Sequence, residues 1–313
     1  MIPASAGSQQ QGQGWRPTGA RCNSQMRRAV WIAVFCSAAL ALGALVAIAC
    51  GSEQGPASAA QAASKGKRYP VRGIYDRDLS RQAALGFNFM DTGPDRDTVR
   101  GIAARGLRPF IWLGGYSNSE CAFVESDDWV RSHVRALATK IRPRRHWRRR
   151  GRAKPLVGAY FIDDEPEAAE CPSAPAQIKA RSDLVKSIDP RPPTFIVTNR
   201  EDQLARFAGT VDIIGLDHYP CSIPNGCVYS KIAAQARVAD RLHIRYWGVI
   251  QAYGDDYYKV PTAGELHQEF VHWRRTHMEG YLVFAWQYPD DDPAHWLAKN
   301  SSLQAQLAIE NRR

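Results

Sequence analysis

The sequence predicts a single (β/α)₈ (TIM) barrel of the α/β class over residues 69–313. One unit recurs eight times there: a short apolar run, a polar tip and a stretch with helical periodicity. A barrel of this kind takes about 250 residues, which matches the length available. An open doubly wound sheet would need a glycine-rich phosphate turn after its first strand, and VRGIYDRD contains none.

The eight strands are predicted from apolar runs rich in β-branched and aromatic residues. They cover residues 71–75, 87–90, 107–113, 156–162, 194–198, 211–216, 246–250 and 281–285.

The intervening helices are predicted from caps and from apolar spacing. Pro94 and Asp95 open a helix that ends at Gly106. Further helical stretches cover residues 130–141, 178–188, 232–242 and 266–273, with apolar residues at intervals of three and four.

Polar and aromatic residues follow almost every predicted strand. In a (β/α)₈ barrel the carboxyl ends of the strands meet at one face, and active sites lie there. A ring so rich in carboxylates, amides and aromatic groups exceeds what a barrel needs for polar loops, so we predict a site from these residues. They are Asp76, Asp91, Asp163, Glu165, Asn199, Asp217, Tyr219, Gln251 and Trp286.

The fourth strand, in LVGAYFIDDEPE, carries the densest group of acids. Side chains alternate along a strand, which predicts that Asp163 and Glu165 share one face and Asp164 points the other way. Crowding and burial raise the pKa of carboxyl groups, and a glutamate with a raised pKa can act as a general acid. The alternative is an acidic helix N-terminus without chemistry.

Three segments resemble the barrel glycoside hydrolases. Asp164, Glu165 and Pro166 are similar to the Asn-Glu-Pro tip that holds the acid/base glutamate in many retaining glycosidases. The segments VDIIGLDHYP and GYLVFAWQYPDDD resemble the ends of their sixth and last strands, with Trp286 as a sugar platform. The resemblance implies a carbohydrate substrate, no cofactor, no metal, and Glu165 as the general acid.

One departure concerns the seventh strand, where those enzymes carry a nucleophilic glutamate and this chain has Gln251. An amide cannot form a glycosyl-enzyme intermediate. Three interpretations follow. The site is chitinase-like, with Asp163 positioning the substrate's acetamido group; or Asp217 or Asp255 is the base or nucleophile; or the barrel binds glycan without chemistry.

The net charge of +10 is unevenly distributed. Residues 1–50 hold four arginines and no acid, and residues 142–152 hold seven arginines. Without them the chain has 30 basic (41 minus 11) and 31 acidic residues. We predict a solvated surface loop at 142–152 and no nucleic-acid partner, since no base-stacking motif accompanies it.

Residues 1–50 are predicted to direct export, with a possible start at Met26. Arg27 and Arg28 precede an apolar run over residues 29–49 that ends at Cys50, as in a bacterial lipoprotein signal, where that cysteine is lipidated. The alternative is an uncleaved membrane anchor, since the run approaches the ~20 residues that span a bilayer. Both interpretations place the barrel outside the cytoplasmic membrane, anchored to it or secreted, on a flexible linker over residues 51–68.

The barrel region contains four cysteines, an even number that favours disulfides in an exported protein. Cys221 and Cys227 would close a short loop, and Cys121 and Cys171 would join two further loops. No zinc-ligand spacing is present, so a metal site is not predicted.

Overall fold

The structure, a computed structural model, describes residues 68–76, 78–138, 156–287 and 292–313. The apolar run, Cys50, most of the linker and the arginine-rich stretch of residues 142–152 lie outside the described residues, so the export and tethering assignments stay predictions. Within the described part, none of the helices combines the length and apolar character required to cross a bilayer.

Eight parallel strands close into a barrel, which confirms the predicted fold class. They are β1 (Val71–Ile74), β2 (Phe89–Thr92), β3 (Arg108–Trp112), β4 (Ala159–Asp164), β5 (Thr194–Thr198), β6 (Ile213–Asp217), β7 (Tyr246–Gln251) and β8 (Gly280–Phe284). Each strand pairs with its neighbours in chain order, and β8 pairs with β1 to complete the circle. All eight carboxyl ends therefore meet at one face of the barrel, which we call the mouth.

Helices follow the strands on the outside of the barrel. Among the described residues they are α1 (Leu79–Ala84), α2 (Arg96–Ala104), α3 (Asp127–Ala138), α4 (Ala174–Ile188), α5 (Leu204–Phe207), α6 (Ser230–Arg241), α7 (Ala263–Trp273) and α8 (Ser301–Glu310). Asp95 caps α2 by accepting a hydrogen bond from the Thr98 N–H, as the Pro94–Asp95 signal predicts. Thr262 and Glu265 form a reciprocal capping box at α7.

The fourth strand differs most from its prediction. It begins at Ala159 rather than Leu156 and continues through Asp163 and Asp164, which pair with β5. A register shift between Phe161 and Asp163 lies within this pairing. Such a shift re-aims side chains, so simple alternation no longer predicts where the acids point.

Aromatic rings fill the barrel interior below the mouth. Phe110 stacks on Phe161 at 5.0 Å between ring centroids, and Phe195 lies 5.1 Å from Trp247. Gly215 makes room for this packing, because a Cβ there would lie 2.5 Å from the Phe195 ring. The floor of the mouth is thus a closed apolar plug.

Two short hairpins rise at the mouth. The β3 hairpin spans residues 116–123 and the β6 hairpin spans residues 221–227. Disulfides join Cys121 to Cys171 and Cys221 to Cys227, which confirms the predicted pairing.

Candidate active site

Four carboxyl groups surround the phenol of Tyr75 at the centre of the mouth. Asp91 lies one residue before the end of β2, Asp164 ends β4, Glu165 follows it, and Asp217 ends β6. Burial raises the pKa of the Tyr75 phenol well above its ordinary value, and the charges of all four carboxyls raise it further. The ring predicted from the strand tips therefore assembles in part, with Tyr75 as a member that the prediction lacked.

Glu165 has a left-handed backbone, with φ at 55°. This region is uncommon for a residue with a side chain, and it persists where surrounding contacts fix it. The Glu165 N–H donates to the Val197 carbonyl of β5 at 3.1 Å, and its carbonyl accepts from the Asn118 side chain at 3.0 Å. Both backbone groups of the candidate acid are therefore held by neighbouring elements.

The side chains of Glu165 and Asp217 lie within hydrogen-bonding reach of each other. Burial raises the pKa of Glu165, with a further increase from Glu167, while the hydrogen bonds that its carboxyl accepts from Asn199 and Asp217 act in the opposite direction. Burial also raises the pKa of Asp217 well above its ordinary value, and the charge of Glu165 adds to this. Two buried carboxyls in contact share a proton more readily than they carry two charges. This pair therefore keeps one proton to a higher pH than an isolated carboxyl does.

Asp164 is the most exposed carboxyl of the ring, whereas Asp91 and Glu165 are half-buried and Asp217 is buried. Desolvation, followed by the charges of Glu165 and Asp91, raises the pKa of Asp164 to about 8. A carboxyl that titrates near neutral pH suits acid–base chemistry.

Asp163 is buried next to this group, and after burial itself the charges of Asp164 and Glu165 help to raise its pKa. It is 1% exposed, and its Oδ1 accepts a hydrogen bond of 2.6 Å from the Tyr116 N–H of the β3 hairpin. The acids of this strand end that raise the pKa of Asp217 are Glu165 and Asp164, and Glu269 of α7 adds to their effect. The alternation rule, which grouped Asp163 with Glu165, was wrong for this strand end.

Aromatic side chains form the other side of the mouth. Phe284, at the end of β8, lies 5.9 Å from Tyr219 in a stacked arrangement, 5.0 Å from Tyr253 and 5.2 Å from Tyr75. Tyr219 also donates a hydrogen bond to Asp217, and it contacts Tyr258 edge-on at 5.3 Å. Aromatic and acidic groups thus meet through Tyr219.

Trp286, predicted as the sugar platform, is 1% exposed and packs in the outer core, where the Arg81 guanidinium lies 5.1 Å from its ring centroid. Its indole has no open face at the mouth. The ring that lines the mouth from β8 is Phe284, two residues earlier.

Gln251 is fully buried, and its amide binds loop backbone. Its Oε1 accepts from the Cys221 N–H at 2.8 Å, and its Nε2 donates to the carbonyls of Cys221 at 2.9 Å and Lys259 at 3.0 Å. Gln251 therefore joins the β6 hairpin to the loop after β7. Its predicted contact with substrate stays a prediction that this geometry does not favour.

The remaining predicted residues divide into two groups. Asn199, which follows β5, hydrogen-bonds Glu165, and Asp91 raises the pKa of Asp164, so both belong to the acidic side. Asp76 accepts a hydrogen bond from the Gln287 N–H at 3.1 Å, and Asp255 accepts from the N–H groups of Tyr257 and Tyr258. These last two acids bind loop backbone.

A metal centre finds little support. Among the described residues, the one group of potential ligands close enough to share an ion is Cys221, Cys227 and Glu265. Both cysteines are joined in a disulfide and cannot supply thiolates.

Sequence reasoning placed neither Phe284 nor Asn118 in the site. A signal for Phe284 existed, because alternation along β8 puts it on the same face as Leu282, which packs in the barrel interior. Asn118 lies in a loop hairpin, and a loop residue's contact with a distant strand end leaves no local pattern.

Comparisons with known proteins give structural neighbours. No protein-family model matches the sequence, and no curated protein matches it. A β-galactosidase from the psychrophilic Marinomonas ef1 is similar with a TM-score of 0.54 and 10% identity, over 77% of this chain and 59% of that one. An endo-β-1,4-mannanase from Thermotoga petrophila is similar with a TM-score of 0.52 and 12% identity, over 79% of this chain and 77% of that one.

A putative α-L-fucosidase from Bacteroides thetaiotaomicron is similar with a TM-score of 0.50 and 11% identity, over 84% of this chain and 98% of that one. The chain spans 31% of the length of a β-glucuronidase from Bacteroides uniformis. At these identities the likeness shows the barrel fold, which this chain shares with glycoside hydrolases.

Proposed function

We propose that the protein is a glycoside hydrolase that cleaves an O-glycosidic bond of a polysaccharide or glycoconjugate, with Glu165 as the general acid. The observation that carries the proposal is the contact between the Glu165 and Asp217 carboxyls in a mouth lined by aromatic rings. Burial, which raises the pKa of Glu165, favours the protonated form that a general acid needs. Aromatic rings next to carboxyls suit a sugar, which presents an apolar face and hydroxyl groups. The folds of the β-galactosidase and the mannanase support the same reaction class.

The assignment of the second carboxylate follows from geometry. In retaining glycosidases the two carboxyls lie ~5–5.5 Å apart, and in inverting ones ~6.5–9.5 Å. Glu165 and Asp217 are in hydrogen-bonding contact, closer than either arrangement, so Asp217 suits the role of proton partner. Asp164, reached by solvent and with a pKa of about 8, then accepts the proton of the attacking water.

In this mechanism Glu165 transfers its proton to the glycosidic oxygen as the bond to the anomeric carbon breaks. Water adds to the anomeric carbon and gives a proton to the Asp164 carboxylate. Exchange with solvent then removes the proton from Asp164 and returns one to Glu165. Because Asp164 must be ionised, activity rises as pH approaches about 8 and falls where the Glu165–Asp217 pair loses its proton.

The test is hydrolysis of a panel of polysaccharides and aryl glycosides by the purified protein and by Glu165→Gln. The amide keeps the shape and removes the proton, so hydrolysis should fall by 10²-fold or more while folding is retained. Hydrolysis that continues in Glu165→Gln would refute the assignment of the acid.

A second candidate is a barrel that binds glycan and performs no chemistry. The end of β7 favours this candidate, because the Gln251 side chain donates to a loop carbonyl and the Asp255 carboxyl accepts from two loop N–H groups. Both side chains therefore already bind backbone. Binding of a glycan without turnover by the wild type, across the whole panel, would support it.

A further inference from the structure

The β3 hairpin is bound to the end of β4 by a set of contacts that all converge around Glu165. The buried Asp163 carboxyl accepts from the Tyr116 N–H at 2.6 Å. The Asn118 side chain donates to the Glu165 carbonyl at 3.0 Å and accepts from the Glu167 N–H at 2.8 Å. One asparagine side chain thus bridges the residues on both sides of Pro166.

The Cys121–Cys171 disulfide fixes the same hairpin from its far end. Cys171 follows β4 by a few residues, and its Sγ lies 3.0 Å from the Asn118 carbonyl oxygen, a contact rather than a hydrogen bond because the oxidised sulfur carries no hydrogen. The disulfide therefore limits the movement of Asn118 relative to the segment that it binds.

Glu165 needs such a restraint. A left-handed backbone is unfavourable for a glutamate, and without its contacts the residue would relax toward extended or right-handed helical conformations. Either change rotates the side chain away from Asp217. The Val197 carbonyl holds the Glu165 N–H from β5, and Asn118 supplies the hold on the carbonyl side.

We infer that Asn118 is a positioning residue: with the Cys121–Cys171 disulfide behind it, its side chain fixes the backbone conformation from which Glu165 reaches Asp217. The inference rests on the proposed function for its catalytic meaning, because positioning affects turnover only if Glu165 is the acid. Asp163 contributes to the same positioning, because its carboxyl binds the Tyr116 N–H and so holds the β3 hairpin against β4.

The experiment compares Asn118→Ala with Asn88→Ala in the full protein. Asn88 is a matched control, because its side chain also accepts from one backbone N–H (Arg72, 2.8 Å) and donates to one carbonyl (Pro70, 2.9 Å), but at the opposite end of the barrel. Both variants should lose similar stability. Only Asn118→Ala should reduce kcat, by about 100-fold, with little change in KM.

A second readout does not depend on turnover. In protein labelled with ¹³C at carboxyl carbons, the Glu165 signal is assigned by its loss in Glu165→Gln, and its titration midpoint is followed by NMR. The groups facing it are Asp217 from β6, Asp164 from β4, Asn199 after β5 and Glu167. The midpoint should shift in Asn118→Ala and in Cys121→Ala/Cys171→Ala, and stay unchanged in Asn88→Ala.

An unchanged midpoint and an unchanged kcat in Asn118→Ala would overturn the inference. If the wild type hydrolyses nothing, the proposed function fails, and the NMR midpoint still decides whether Asn118 positions Glu165. If Asn118→Ala does not fold, Asn118→Asp, which keeps an acceptor for the Glu167 N–H, replaces it for kcat. Cys121→Ala/Cys171→Ala replaces it for the midpoint, because the new carboxylate of Asn118→Asp would shift the Glu165 midpoint by its own charge.

Discussion

Replacing Gln251 by glutamate tests whether the end of β7 is a vacated nucleophile position or a structural junction. If the resemblance to the retaining glycosidases extends to the end of β7, the substitution Gln251→Glu restores their nucleophilic carboxylate. In the structure the Gln251 amide is fully buried and donates to the carbonyls of Cys221 and Lys259. We expect that Gln251→Glu destabilises the protein and creates no nucleophile.

The magnitude follows from the contacts. A carboxylate keeps the bond from the Cys221 N–H but has no hydrogen for the two carbonyls, which are left facing oxygen. An orphaned buried acceptor costs about 1–3 kcal/mol, so two cost about 2–6 kcal/mol. The buried Glu269 carboxyl, which accepts from the Gln251 N–H at 3.1 Å, adds a second acid nearby. At acidic pH the new carboxyl is protonated and can donate one hydrogen bond, so the loss should be smaller there.

Urea denaturation at pH 5 and pH 8 measures both effects. Gln268→Glu on α7 is the control, because Gln268 is exposed and the same change there should alter the free energy of unfolding by less than about 0.5 kcal/mol. A Gln251→Glu variant as stable as the wild type at pH 8, which also forms a covalent glycosyl adduct, would show that the side chain reaches the mouth. The structural role of Gln251 would then be wrong.

Three further predictions address the other assignments. Trp286→Ala should lower the free energy of unfolding by about 3–5 kcal/mol, whereas Phe284→Ala should weaken glycan binding more than it lowers stability. Denaturation measures the stability and calorimetric titration measures the binding. If Trp286→Ala weakened binding and Phe284→Ala did not, Trp286 would be the sugar platform. Burial raises the pKa of Asp163, Asp217 and Glu269, so the stability that their neutral forms give is complete below the unfolded pKa near 4 and is lost as pH rises through the folded pKa values. In Glu269→Gln the free energy of unfolding should fall less steeply with pH. An equally steep fall would contradict the role of Glu269. Cys50→Ala should change the processing of the precursor if Cys50 is lipidated, and unchanged size and membrane association would favour an uncleaved anchor.

The fold was predictable because its signals are local and repeated. Apolar runs, the cap at Asp95 and an even number of cysteines each depend on a few neighbouring residues. The strand β5 was predicted with its observed bounds, Thr194–Thr198. The predicted positions of the acidic residues depended on this regularity: Asp217 ends β6 and Asp91 lies one residue before the end of β2, while their roles in a site stay predictions.

The site details were not predictable where the chain departs from regularity. The register shift in β4 and the left-handed Glu165 result from contacts with β5 and with the β3 hairpin, which are distant in sequence. In the sequence, Gln251 resembles a replaced nucleophile, because it follows the predicted seventh strand where the retaining glycosidases carry a glutamate. Gln251 is buried because the β6 hairpin folds over it. The sequence of β7 alone does not predict the position of that hairpin.

The arrangement of the mouth follows from the geometry of the barrel itself. In a (β/α)₈ barrel, alternate strands place their side chains in the same layer. The carboxyls Asp91, Asp164 and Asp217 come from β2, β4 and β6, and the fourth even strand, β8, contributes Phe284. An acid in place of Phe284 would have added a further like charge to the mouth and raised the pKa values of the other carboxyls. The ring of Phe284 instead leaves one side of the mouth apolar and close to Tyr219, which bonds Asp217. Under the proposed function, a sugar that stacks on Phe284 lies next to Tyr219, whose hydroxyl binds Asp217, the partner of Glu165.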